Sequence, residues 1–395
     1  MTTTDILISG GGIAGLTAAA AFGTAGFRVL CVDPAPPVTD AASQGADRRS
    51  TAFLQPAIAV LQAAGLWQRL APHAAALQIM RIIDAGGAAE EPRLIKDFDA
   101  ADISDQPFGQ NLPNWLLRRE MVARLSDLPN VTFRPGTATT GLVTRTTEAR
   151  VTLSDGDRVT ARLVIAADGR ASPMRDAAGI AVRTFRYGQK ALTFAVTHPV
   201  PHHNISTEIH RSGGPFTLVP LPDRNGLPAS AVVWMERGPA ALRLAALDSA
   251  AFDAAVTARS CRVLGPLTVT TRPQVWPIIA QLAARMSGER LALMAEAAHV
   301  VPPIGAQGLN MALADLACLL DLAQTAELGS PAMLEAYHRR RHNEVAARVR
   351  GVDAMNRAAM LGAPPLRDLR AAALYALHAI GPLRKSLMKA GLGLN

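Results

Sequence analysis

The 395-residue sequence predicts an α/β protein made of a discontinuous domain built on a βαβ unit, a mainly antiparallel sheet domain and a C-terminal helical region. Three observations lead there. The chain opens on an apolar strand, a glycine turn, an Ala-rich helix and a second apolar strand. Two interior stretches show short alternating apolar runs, and from Pro331 onward the pattern is helical.

In chain order, residues 5–9 (Asp-Ile-Leu-Ile-Ser) read as a buried strand, the helix runs to residue 25, and residues 27–32 form the second strand of a βαβ unit. Residues 76–111, broken at Gly86-Gly87, and 181–275, punctuated by Gly213-Gly214-Pro215 and Pro220, are expected to be pieces of one mainly antiparallel sheet. Residues 114–180 and 276–328 return to strand and helix signals around glycine motifs, which makes the first domain discontinuous. In the tail, Pro364-Pro365 separates two helical segments.

A composition of 49% hydrophobic and 18% charged residues excludes a disordered or collagen-like polymer. Of the net charge of +8, residues 331–395 carry +7, so the rest is nearly neutral. Only four of the 40 basic residues are Lys, which reads as the coding bias of a GC-rich genome, and no nucleic-acid partner is expected. Cys31, Cys261 and Cys318 are odd in number and widely spaced, which fits a reduced cytosolic compartment. The apolar stretch 371–383, interrupted by His378 and Gly381-Pro382, falls short of the roughly 18 residues a bilayer span needs, and no secretory leader is expected.

Three motifs supply chemistry. Gly10-Gly11-Gly12-Ile13-Ala14-Gly15 satisfies G-x-G-x-x-G between a strand and a helix: Gly10 for the tight turn, Gly12 for close approach of a pyrophosphate, Gly15 for helix-on-strand packing. Asp33, at the end of the next strand, suits the hydroxyls of an adenosine ribose and repels a 2′-phosphate, so the site predicts FAD or NAD. The second motif is an apolar strand ending in Asp168-Gly169, with Ser172 able to cap a following helix. In the third, a strand ends near Glu296 and His299, and a loop through Pro302-Pro303-Ile304-Gly305-Ala306-Gln307 opens a helix at Gly308-Leu309-Asn310.

In this order and at these separations, the motifs resemble the class A flavin-dependent aromatic hydroxylases of the para-hydroxybenzoate hydroxylase fold, over almost the whole chain. Residues 47–52 (Asp-Arg-Arg-Ser-Thr-Ala), 114–119 (Asn-Trp-Leu-Leu-Arg-Arg) and 303–310 further resemble the ubiquinone-biosynthesis hydroxylases. The resemblance implies a Rossmann-like FAD-binding domain of residues 1–75, 112–180 and 276–330, a substrate domain of 76–111 and 181–275, and a helical region of 331–395. It also implies that Gly10, Gly12, Ile13, Ala14, Gly15 and Asp33 bind the ADP half of FAD. Arg49 and Arg119 would reach its phosphate and ribityl region, and Asp168 and Gly169 would meet both FAD and the reductant. Glu296 would contact ribityl and pyrophosphate oxygens, and Gly308, Leu309 and Asn310 would bring backbone N–H groups to the flavin ring. The sequence departs from the family in having Glu296 for the usual Asp and Ala306 for the usual Gly.

The implied activity is hydroxylation of an aromatic ring with O₂ and NAD(P)H, the latter docking transiently because only one G-x-G-x-x-G is present. The substrate expected is a polyprenyl-phenol, a lipophilic intermediate of ubiquinone biosynthesis. A hydroxylase of a small soluble phenol and a flavin-bound scaffold without turnover remain alternatives. Another flavin branch, a halogenase or a prenyl reductase, is disfavoured, the halogenase W-x-W-x-I-P signature being missing because Trp67, Trp115, Trp234 and Trp276 stand apart. No catalytic side chain and no metal is assigned: His299 reads either as a general base or as a turn-orienting residue, and His202-His203 lacks further ligands. Tyr187, Phe216 and Trp234 read either as substrate contacts or as core. In the tail, Leu366, Leu369, Ala373, Leu377, Ile380 and Leu387 form a stripe beside Arg367, Arg370, Arg384, Lys385 and Lys389. That stripe either packs on the protein's own core or makes peripheral contact through 366–390 with the inner face of the cytoplasmic membrane, where a biosynthetic complex is a further partner to expect.

Overall fold

The computed structural model describes residues 2–85, 92–211, 213–360 and 364–393, with backbone alone at 364–366. The Gly86-Gly87 break and the Leu366 side chain lie outside the described residues.

Strand Thr2–Ser9 sits between Arg158–Ala166 and Val29–Asp33 in a parallel sheet, Val29–Asp33 pairs Val131–Pro135, and Arg158–Ala166 pairs Leu291–Leu293. Parallel strands are covered on both faces, and this is why the runs read as unbroken apolar stretches. Ile6, Leu7, Ile8, Val164, Ile165 and Leu293 have no exposed surface. The helix Ile13–Thr24 is buried over nearly its whole length. Its alanines let helices Asn114–Ser126 and Gln307–Thr325 approach closely.

The second sheet takes in the 181–275 stretch and, of 76–111, the strands at 79–84 and 94–99; residues 76–77 and 109–111, expected in the same sheet, pair with each other and with Ser50–Leu54 instead. Ile79–Asp84 and Leu94–Asp99 join it at Ile205–His210, through a parallel seam, and the remaining order is Pro215–Arg224, Leu227–Arg237, Val182–Thr197, Gln274–Ala283. Residues 276–283, assigned from sequence to the nucleotide-binding side, therefore lie in the antiparallel sheet: Trp276 pairs Ala191 and Leu282 pairs Arg183. Their apolar run looked like a parallel strand because it is covered on both faces where the two domains meet. Ser50–Leu54, Gly109–Pro113 and Ala75–Leu77 form a small separate sheet.

The pleat gives this sheet two distinct faces. Leu192, Phe194, Val232, Trp234 and Phe216 pack with Phe252 and Val256 of the helix Ser249–Arg259. Ala191, Met235 and Ile278 point the other way, toward Ile304 and Val352. Trp234 and Phe216 are thus core residues of the helix-covered face, whereas Tyr187 belongs to the opposite one.

The helix Pro331–Met360 clamps the two domains. Tyr337 is fully buried in the first core and its hydroxyl donates to Leu293 O at 2.7 Å; Val352 enters the second. Further along, Tyr187 donates to Asp353 Oδ1 at 2.6 Å, and buried Asn356 donates to Gln189 Oε1 at 2.8 Å while Gln189 donates to Gly213 O at 2.7 Å. Asn356→Ala is expected to lower unfolding free energy by about 1–3 kcal/mol, the cost of stranding a buried amide oxygen without a donor. Denaturant titration with an unchanged m-value would report it.

Candidate functional site

The parallel register sets the site. Ser9 pairs Ala166, which pairs Leu293, so the three strands end side by side and hand their following residues to one edge. Ligands of open α/β sheets bind outside these carboxyl ends.

At the first strand end, Gly10 has φ +107° and donates to Val32 O at 2.8 Å; a Cβ there would lie 2.3 Å from Ala167 O. A Cβ on Gly15 would lie 1.8 Å from Gly10 O. These two glycines are dictated by backbone contact. Gly12 differs, because a Cβ there would meet nothing within 4 Å, and the helix it precedes has neither a side-chain cap nor an acidic first turn. Free space beside oriented, uncapped N–H groups, with Ile13 and Ala14 opening the first turn, is a cradle for an anion. Asp33 holds the turn, accepting from Gly11 N–H at 2.6 Å and from Ala35 N–H at 2.8 Å.

At the second strand end, Gly169 turns the chain at φ +86°, and Ser172 caps the next helix by accepting from Arg175 N–H at 3.0 Å. Asp168 Oδ2 accepts from Met174 N–H at 3.1 Å, while Oδ1 is buried without a donor, and burial raises the carboxyl above its ordinary range. Arg175, almost fully buried, donates to Arg170 O at 3.1 Å and Ala297 O at 3.2 Å and so ties this turn to the third strand end.

There Glu296 is half-exposed, 3.3 Å from Arg170 Nε, on a turn whose Ala295 has φ +55°. Ala306 likewise has φ +55° at the start of the helix Gln307–Thr325, where glycine is the unstrained choice. Gly308 faces open space, and the first turn containing Leu309 lacks a side-chain cap. The Asn310 side chain is committed elsewhere: it accepts from Leu54 N–H at 2.8 Å and donates to Ala52 O at 2.8 Å and Ala306 O at 2.6 Å, locking the loop to strand Ser50–Leu54.

Arg49 is held bidentate by Asp47 at 2.8 and 2.7 Å, lies 4.6 Å from the centre of the Trp276 ring, and feels the charge of Glu296. Burial alone would raise the Asp47 carboxyl, but bonds from Arg49 and Asn114 and the nearby Arg118 hold it below its usual range. Arg118, at 3.5 Å from Asp47, joins this cluster, whereas Arg119 pairs with Glu120 at 2.8 Å and lies over Trp115. Sequence reasoning missed Arg118 and Trp276; the adjacent Arg118-Arg119 pair could have flagged the first, and the second required the pairing of strands distant in sequence.

His299 is buried, with Nε2 2.6 Å from Asp315 Oδ2, and Asp315 Oδ1 accepts from Arg341 Nε at 2.9 Å. Arg341 also pairs with Glu344. This network braces the loop from behind and corresponds to the turn-orienting reading of His299.

The FAD binding domain family matches residues 3–352. Among curated proteins, the chain is 32% identical to the ubiquinone hydroxylase UbiL of Rhodospirillum rubrum, covering 98% of this chain and 89% of that one. It is 27% identical to the 3-demethoxyubiquinol 3-hydroxylase of Escherichia coli, covering 99% of both. Among solved structures, p-nitrophenol 4-monooxygenase PnpA from Pseudomonas putida DLL-E4 superposes with a TM-score of 0.79 at 20% identity over 99% of both chains, a likeness of fold.

Arg341→Met takes the guanidinium away from buried Asp315 and leaves it His299 alone, which is expected to cost about 3–5 kcal/mol of stability. Chemical denaturation measures it, and a change below 1 kcal/mol would mean that the network does not brace the loop.

Proposed function

Because the chain belongs to the FAD binding domain family, we propose that its three strand-end turns hold FAD, with the pyrophosphate over Gly12 and the uncapped helix. The chain is a FAD-dependent monooxygenase that hydroxylates an aromatic ring in ubiquinone biosynthesis. The observation that most directly supports the placement is the orphaned pair of features, free space at Gly12 and the unpartnered Asp168 Oδ1, meeting at one edge.

When bound, the flavin supplies the redox chemistry, accepting a hydride from NAD(P)H and activating O₂. The protein's own groups bind and orient. Asp33 faces the adenosine ribose, the Ile13–Thr24 helix start receives phosphate, and Arg49, fixed in place by Asp47 and Trp276, offers positive charge to the pyrophosphate or ribityl oxygens. Asp168 Oδ1 accepts a hydrogen bond from cofactor or reductant. The face carrying Ala191, Met235 and Ile278 closes over loop 302–306 and shields the reacting ring from water. The substrate is a lipophilic phenol with a polyprenyl tail.

Such a substrate is reached from a bilayer surface, and the tail is the docking element. No helix among the described residues is long and apolar enough to cross a membrane. The stripe is not core: Leu369 is 66% exposed, Ile380 52% and Leu387 45%. The basic residues divide. Arg370 pairs with Asp84 at 2.8 Å and Arg384 with Asp102 at 3.0 Å, pinning the tail to the sheet domain, while Lys385 and Lys389 remain outward. Inward cations and outward leucines favour attachment through apolar contact, each fully buried leucine contributing about 1.5–3 kcal/mol.

Purified protein should be yellow, with about one FAD per chain. Gly12→Val should lose the colour while circular dichroism and unfolding stay near those of the parent, since the added side chain meets only the cofactor's space. A colourless parent that cannot be reconstituted would refute the reading. Asp168→Ala should slow bleaching of the flavin by NAD(P)H roughly tenfold or more, the loss of one hydrogen bond to a charged acceptor, with FAD content retained. Cosedimentation with vesicles containing phosphatidylglycerol should fall more in Leu369→Glu/Leu387→Glu than in Lys385→Glu/Lys389→Glu. Absence of sedimentation at every ionic strength would remove the membrane from the proposal.

A further inference from the structure

The face of the antiparallel sheet turned away from the flavin site is roofed by the helices Gly238–Ala245 and Ser249–Arg259, and a solvent-open cavity of about 480 Å³ lies where roof and sheet meet. Its lining includes Arg211, Arg243 and Arg259, with Glu236 as the one carboxylate, beside Trp234, Leu244 and Leu247. Arg259 is 6% exposed. Its Nη2 donates to Gly214 O at 2.8 Å and Ile209 O at 3.3 Å, but Nε and Nη1 are buried without an acceptor, which leaves three N–H groups unmet. Trp234, 4% exposed, also has its indole N–H buried and unpaired. Glu236 makes no hydrogen bond to these donors: its Oε1 accepts from Arg237 N–H at 2.8 Å, and it acts on Arg259 through its charge alone.

A buried cation with idle donors is costly, and the cost is met when an acceptor arrives. Burial pushes the Arg259 guanidinium down to about 10, so it stays charged at neutral pH. The buried lining groups left unmet are donors, the excess charge is positive, and leucine and tryptophan side chains supply apolar wall. We propose that this cavity is a second, non-flavin binding site for a small amphipathic oxyanion, a carboxylate or phosphate monoester carried on an apolar body. The oxyanion sits on Arg259 and the Trp234 N–H, Arg243 at the mouth adds attraction, and the body lies against Leu244 and Leu247. Strand alternation keeps this ligand apart from the flavin: Trp234 and Glu236 point to the helices, Met235 to loop 302–306.

Calorimetric titration of the FAD-loaded protein with octanoate, octyl phosphate and inorganic phosphate tests it. The expected result is one site per chain for octanoate or octyl phosphate, and binding of inorganic phosphate at least roughly tenfold weaker for want of buried methylenes. Whichever octyl compound binds more tightly names the headgroup. Arg259→Met should abolish binding. If that variant does not fold, the exposed Arg243→Ala should still weaken it several-fold, and Glu236→Gln, which removes the opposing charge, should tighten it. Flavin absorbance and the rate of reduction should not change in Arg243→Ala or Glu236→Gln. No binding of either octyl compound at millimolar concentration would overturn the proposal, as would binding that perturbs the flavin spectrum and ignores both substitutions, since the ligand would then occupy the ring-hydroxylation site.

Discussion

Everything at the edge where the parallel strands end depends on the contact of Gly10 with Ala167 and of Gly15 with Gly10. The first strand can lie against Arg158–Ala166 in register only if the turn beyond it passes within van der Waals reach of the neighbouring backbone, and a Cβ at either glycine would sit far inside that limit. The same closeness brings Asp168 beside the glycine turn and, through Arg175, fixes the Glu296 turn to both. Asp33, bonded to Gly11 and Ala35, sets the shape of the turn. One steric constraint thus organises residues drawn from three distant parts of the chain.

What the sequence disclosed, and what it withheld, follows from how local each signal is. The glycine turn, the Asp168-Gly169 turn and the uncapped start at Gly308 are readable because their geometry is settled by residues within a few positions of one another. The single sheet that joins 79–84 and 94–99 to 182–275 was legible from alternation. The place of 276–283 was not, since a strand covered on both faces shows the same unbroken apolar run in either sheet. Trp234 and Phe216 show the reverse limit. Their aromatic character suited either face, and only the register Leu192 with Trp234 and Phe216 with Trp234 decided that both look toward the helices. Asn310 reads as a flavin-loop residue in sequence, yet its side chain is spent on Leu54, Ala52 and Ala306, leaving the backbone of its turn to face the edge.

The two departures from the family pattern, Glu296 and Ala306, occupy a loop that carries left-handed alanines at 295 and 306. Non-glycine residues in that conformation cost roughly 1–2 kcal/mol each and persist where their surroundings over-determine them. Here Arg175 holds Ala297 O, Asn310 holds Ala306 O, and the His299–Asp315–Arg341 network stands behind. A braced loop tolerates the extra methylene of Glu296 because the longer carboxylate is exposed and free to adjust, with Arg170 as its partner.

The tail obeys a different economy of charge. Arginines that a composition count assigns to a lipid surface are instead used to dock the helices on Asp84 and Asp102, both in or beside the sheet domain. An ion pair turned inward fixes which side of an amphipathic helix is left over, and the side left over here is leucine-rich. The charge surplus that first drew attention to the C-terminal region therefore acts by orienting an apolar surface, and salt should affect how firmly the tail is held to the protein.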